Sequence, residues 1–224
     1  MKQATGLGVI VLLLIAFGCK PKPAADEAVL ASLPPSAPPE QLEAESGLAV
    51  KRGVIAFNGD APSYRACGAN ADAALADATE NIKHIYAKLG GKPLYAEAYG
   101  ELKSNAFTLE ELLYASPQDP NSACAVQPPT YELLAAGAET AWSVEVTQDS
   151  MIFRQPVEPK EIIFTAVETT DAEGAVVYRA GVDKHVLELT VKQNACEEGG
   201  AYYGYSAAAQ LDKGAFTGCA RVGN

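Results

Sequence analysis

In the stretch His185-Val186-Leu187-Glu188-Leu189-Thr190-Val191-Lys192, the apolar Leu187, Leu189 and Val191 alternate with Glu188 and Thr190. A period of two is that of a strand with one face packed and the other wet, as in an antiparallel sheet. Strand-like runs recur on both sides of it: Trp142 to Val146, Met151 to Arg154, Glu161 to Val167, Val176 to Ala180, Tyr202 to Ala209 and Ala215 to Ala220. Turn residues punctuate them, among them Asp149, Pro156, Pro159, Gly174, Asp183, Gly199-Gly200 and Asp212-Lys213-Gly214. Short strands at such spacing predict an antiparallel β-sandwich or barrel over residues 130–224. Within it, Ile162 to Val167 is nearly continuous apolar, the pattern of a strand buried on both faces.

Upstream the punctuation is different. Leu48 to Val50 and Gly53 to Phe57 read as strand, interrupted by Asn58-Gly59-Asp60-Ala61-Pro62, and Tyr64 to Cys67 as a second short strand. Leu75, Ala78, Ile82, Ile85, Tyr86 and Leu89 then recur at helical spacing, so the periodicity predicts a helix with Asn70 as N-cap and Gly90-Gly91 as its stop. Pro93 to Leu102 and Phe107 to Ala115 return to strand. Strands flanking one helix over residues 47–127 predict a small OB-like β-barrel, which makes the whole chain mainly β.

The chain has 224 residues, 48% of them hydrophobic, enough for packed cores. Seventeen Lys and Arg face 28 Asp and Glu, a net charge of −11 that disfavours nucleic acid as a partner, because that affinity comes from cations displacing counterions. Lys2 precedes the apolar run Leu7 to Phe17, 11 residues, too short to span a bilayer, which takes about 20, but suited to the centre of a secretory signal. Gly18-Cys19 closes it, resembling a bacterial lipobox. The resemblance implies a signal peptide over 1–18 and a palmitate-bearing lipidated Cys19, a membrane partner through lipid alone. Removing Lys2 with the signal leaves 16 basic against 28 acidic residues, net −12. The absence of Asp after Cys19, where Lys20 stands, implies by the same resemblance the outer membrane of a Gram-negative cell, facing periplasm or surface. Residues 19–46, with Pro21, Pro23, Pro34, Pro35, Pro38 and Pro39, read as a tether reaching at most about 80 Å at about 3.1 Å per residue.

Cys67, Cys124, Cys196 and Cys219 remain, an even number in an exported chain, which implies disulfides. Four cysteines allow three connectivities. The Pro128-Pro129 stretch separates one pair from the other, so the pairs expected are Cys67–Cys124 and Cys196–Cys219, closing loops that contribute about 4 and about 3.5 kcal/mol on the chain-entropy model. With no Cys-x-x-Cys and no Cys/His cluster, no metal and no cofactor are expected.

Two resemblances follow. Arg52 to Phe57, Asp60-Ala61, Cys67, the helix, Pro93 to Gly100 and Cys124 resemble, over about 47–125, the C-terminal OB domain of the NlpE copper-resistance and stress-sensing lipoproteins. The metal-responsive barrel of those proteins carries a Cys-x-x-Cys motif that this sequence lacks, so copper sensing is not implied. Gly137 to Val146, Cys196 to Gly199, Tyr202 to Ala207 and Gly218-Cys219-Ala220 resemble, over about 134–224, an uncharacterised family of envelope lipoprotein domains. Related chains join that domain to lysozyme-inhibitor modules, which implies envelope protection.

Chemical candidates are few. His84 falls opposite the apolar helical stripe and reads as a surface residue, while His185 begins the apolar face of its strand. The adjacent pairs Glu110-Glu111 and Glu197-Glu198 point to opposite faces of a strand and cannot share a proton. No nucleophile elbow, zinc-protease helix or phosphate loop occurs, so no catalytic residue is expected. Glu139 with Trp142, and Glu197, Glu198 and Tyr202 after Cys196, combine aromatics with carboxylates and are the candidate surface for a basic protein partner. The function expected is a non-enzymatic binding, structural or stress-related envelope lipoprotein. The competing readings are an inhibitor of a basic, lysozyme-type lytic enzyme and a hydrolase without a recognisable motif.

Overall fold

The computed structural model describes residues 49–77, 81–172 and 174–223. The expected signal peptide, the lipidation expected at Cys19 and the expected tether lie outside the described residues. The fold is mainly β, a closed five-stranded barrel followed by further strands in a sheet.

The barrel consists of β1 (Lys51–Asn58), β2 (Ala61–Ala66), β3 (Ala73–Asp77), β4 (Leu94–Lys103) and β5 (Ala106–Ser116), with helix α1 (Ile82–Lys88) between β3 and β4. The strands run β3-β2-β1-β4-β5, and parallel pairing of β3 with β5, Ala74 opposite Ala106, closes the ring. Its core holds Ile55, Tyr64, Leu75, Leu94, Phe107 and Leu109, with Ile82 and Ile85 of α1 packed in. Tyr64 stacks on Phe107 with ring centroids 4.0 Å apart. Glycines make the room: a Cβ on Gly53 would sit 2.4 Å from the Tyr64 ring, and one on Gly100 2.7 Å from the Phe107 ring.

The helix expected from about Asn70 is corrected. Residues 73–77 are a strand, and α1 begins only at Ile82. Ala73 and Leu75 are buried while Ala74 and Ala76 are exposed, a period of two that is hidden in a run of helix formers. Pairing with β2 on one side and β5 on the other outweighs that propensity, because without β3 the barrel would expose an edge. Asn70 lies in the β2–β3 connection, and the N-cap position of α1 is Asn81. The first helical amide, from Ile82, donates instead to Asp77 Oδ2 at 2.7 Å.

After helix α2 (Pro120–Ala125), capped by Asp119 through the Ser122 amide, come nine strands. They are β6 (Leu133–Gly137), β7 (Trp142–Val146), β8 (Ser150–Arg154), β9 (Glu161–Thr165), β10 (Glu168–Ala172), β11 (Ala175–Val182), β12 (His185–Glu198), β13 (Ala201–Leu211) and β14 (Gly214–Val222). All pair antiparallel, in the order β10-β11-β12-β13-β14-β6-β7-β8-β9, around a second core that includes Trp142, Met151, Phe153, Phe164, Leu187 and Leu189. The continuous apolar run at Ile162 proves to be one-faced: Ile162 and Phe164 are buried but Ile163 is 52% exposed, and Ala166 at φ 56° ends the strand. Both disulfides are formed, Cys67–Cys124 and Cys196–Cys219. Among the described residues no helix is long and apolar enough to cross a membrane.

The described residues belong to one compact unit, because β13 also pairs with β5, Tyr202 opposite Ala115 and Tyr203 opposite Tyr114. At the far end of the second core, His185 lies half-buried at the rim, and its Nδ1 is 2.7 Å from Asp212 Oδ2. Asp212 Oδ1 accepts the Val186 amide at 2.9 Å, so one carboxylate ties the β11–β12 turn to the β13–β14 turn. The His185 hydrogen bond, then the Val186 amide, hold its pKa below the ordinary aspartate value. A lowered folded-state pKa contributes stability that is present above the unfolded value and lost as pH falls through the folded one. Asp212→Asn is therefore expected to melt earlier than wild type at neutral pH, with the gap closing below about pH 4. Calorimetry across that range checks it, and a gap constant with pH would show that charge plays no part.

Candidate functional site

The five residues expected to form a binding surface part company in the structure. Trp142 is 2% exposed, and its indole N–H donates to the Thr217 carbonyl at 3.1 Å, so it fills the second core and offers nothing to a partner. Glu139 is exposed in the β6–β7 turn. The neighbouring Ala138 amide donates to Glu198 Oε1, and Ala136 stands opposite Cys219 in the β6–β14 pair. The opening of the second half and the Cys196 loop are thus adjacent, held by the Cys196–Cys219 bond. Glu197 and Tyr202 face each other across β12 and β13 on the other side of the hairpin, where Glu197 Oε1 meets Lys88 Nζ of α1 at 2.5 Å. His84 is exposed on α1.

Alternation along β12 and β13 creates a cleft on each side of the hairpin end. On the Glu198 side, a cleft of ≈460 Å³ opens between the tail of β5 and the Gly199-Gly200 turn, lined by Tyr114, Ser116, Glu198 and Tyr203. Tyr114 and Tyr203 meet edge to face, centroids 5.1 Å apart. Burial, then the neighbouring Tyr114, raise the Tyr203 pKa, so the phenol stays neutral and serves as a hydrogen-bonding group and a π-face. Glu198 is half-buried, and a carboxylate has roughly four acceptor positions, of which the Ala138 amide takes one. Carboxylate, aromatic edges and a partly dry wall are what an inserted Lys or Arg side chain requires.

Behind this cleft lies a charged group that the sequence reading passed over. Glu97, on β4 and 2% exposed, accepts Arg221 Nε at 2.7 Å on Oε2 and Arg221 Nη2 at 2.5 Å on Oε1, the bidentate geometry of a guanidinium and a carboxylate. The Tyr95 hydroxyl donates to Glu97 Oε1 at 2.6 Å and accepts from Arg52 Nε at the same distance. Arg52 then reaches the Ala123 and Val126 carbonyls at 3.2 and 2.9 Å, next to the Cys67–Cys124 bond. Arg221 also lies over the Tyr114 ring, 4.3 Å from its centroid. Burial works against the Arg221 charge, but the hydrogen bonds and charge of Glu97 outweigh it and raise its pKa. Burial, then Glu97, push Tyr95 up to about 12. The group joins β14 to the barrel and fixes the wall on which Tyr114 stands. Its one visible trace in the sequence is a charge inside the otherwise apolar Leu94 to Ala98, which in a strand demands a partner.

Among the described residues no cluster of His, Cys, Asp and Glu is arranged to hold a metal. Comparison with family models, with curated proteins and with solved structures gives no match.

Proposed function

We propose that the chain is a non-catalytic binding module of the bacterial envelope, lipid-anchored through Cys19 in the outer membrane, whose Glu198 cleft takes basic side chains of a partner protein. The observation that supports this reading is the cleft itself, where one half-buried carboxylate and the rings of Tyr114 and Tyr203 face the same space. An excess of acidic residues adds long-range attraction for a basic partner. A lysozyme-type lytic enzyme is the partner that fits best, being strongly basic and active where an exported lipoprotein would stand guard.

Glu198→Gln keeps an oxygen for the Ala138 amide and removes only the charge. Its affinity for a basic lysozyme is expected to fall about tenfold, roughly 1.4 kcal/mol, with the melting temperature almost unchanged. Titration calorimetry at low and high salt measures this, and binding by wild type is expected to weaken with salt. No binding and no inhibition by wild type at micromolar protein would remove the lytic-enzyme partner, and equal binding by Glu198→Gln would remove the cleft. Replacing Cys19 with Ala is expected to release the protein from membranes into the soluble periplasmic fraction. A variant that still sediments with membranes would refute the anchor.

A further inference from the structure

On the opposite side of the hairpin end lies a second pocket, ≈170 Å³, between α1, β5 and β12. The pairing of β12 with β13 slips between Gln193 and Cys196, which leaves Asn194 and Ala195 out of the ladder. Such a bulge re-aims side chains, and here both Gln193 and Asn194 line the pocket. Gln193 Nε2 donates to Glu111 Oε1 at 3.0 Å, which holds the carboxylate against one wall. Asn81, at the start of α1, makes no capping bond with its side chain and lines the rim. Tyr202 supplies an aromatic wall, half-buried against the barrel core. Gly204 keeps the floor low: a Cβ there would come within 2.9 Å of the Leu112 carbonyl.

We propose that this pocket is a saccharide site that takes one pyranose ring. A sugar presents adjacent hydroxyls that both donate and accept, together with a patch of C–H bonds. Planar amides and a carboxylate match the first, since each offers paired groups at the spacing of neighbouring hydroxyls. An aromatic face matches the second. Asn81, Gln193 and Asn194 bring amide donors, which a simple cation would not use, and the Glu111 carboxylate already accepts from Gln193. Burial, then the charge of Glu111 and its hydrogen bond, raise the Tyr205 pKa, so that neighbour too meets the carboxylate as a neutral phenol. The site is independent of the Glu198 cleft, lying on the other face of β12 and β13.

Titration of the 15N-labelled full chain with glucose, N-acetylglucosamine, glucosamine and methylammonium tests it. A neutral sugar is expected to shift the side-chain amides of Asn81, Gln193 and Asn194 and the backbone amides of Tyr202 and Gly204, with a Kd on the order of 1 mM. Gln193→Ala combined with Asn194→Ala, both at exposed positions, is expected to weaken binding at least tenfold while the rest of the spectrum stays in place. Shifts produced by glucosamine and methylammonium but by neither neutral sugar would overturn the proposal in favour of a cation at Glu111. The absence of shifts at these amides, or undiminished binding by the double variant, would overturn it outright.

Discussion

Glu97→Ala is expected to lower stability by about 3–5 kcal/mol, because it strands two guanidiniums in a buried space that was built around one carboxylate. In a chain of this length that corresponds to a fall in melting temperature on the order of 10 °C. Arg221 loses both of its bidentate bonds, whereas Arg52 keeps the Ala123 and Val126 carbonyls, so most of the loss falls on Arg221. Replacing the pair together, as Glu97→Leu with Arg221→Met, is expected to recover much of the loss, since an apolar pair of similar volume avoids the desolvation of both charges. Urea unfolding of wild type and the two variants separates these terms. A single-variant loss below about 1 kcal/mol would mean that water reaches Arg221 and that the buried ion pair does not hold the junction.

Trp142→Ala is expected to cost about 3–5 kcal/mol, the usual range for emptying an aromatic site from a closed core. The indole packs near Phe216, centroids 5.8 Å apart, and its N–H donates to the Thr217 carbonyl. Below its melting temperature the variant is expected to capture a basic partner as well as wild type does, because Trp142 does not reach the surface. The measurement is a thermal melt paired with binding at a temperature where the variant remains folded. Loss of binding with unchanged stability would return Trp142 to the site.

Tyr202 and Trp142 show where sequence reading stops. Trp142 beside Glu139 and Tyr202 beside Glu198 present the same cue, an aromatic near a carboxylate, yet one is core and the other lines a pocket. Which face a strand residue takes depends on register, and a slip of one residue exchanges the faces. Strands with clear alternation, such as Trp142–Val146 and the first half of β12, were legible because burial follows their period. Leu133–Gly137 was not, since Leu-Leu-Ala-Ala-Gly carries helix formers and is made a strand by β7 and β14 on its two sides. Glu168–Ala172 lies on an edge with hardly any burial, so it has no apolar period to detect. The cysteine pairs were legible because the Pro128-Pro129 stretch separates Cys67 and Cys124 from Cys196 and Cys219. The Glu97 group was not, because its members come from β1, β4 and β14 and share no local pattern.

The arrangement around Glu97 also bears on the order in which the molecule becomes complete. Glu97 and Arg221 are 124 residues apart in the chain, and β5 finds its partner in β13 only after β6 to β12 have been made. A nascent chain carrying all five barrel strands still holds an acidic side chain with one of its two guanidiniums missing. The junction between the closed ring and the second half therefore forms only once β13 and β14 have been made. Contacts so distant in sequence slow folding, and until β14 has been made this face of the closed ring stays uncovered.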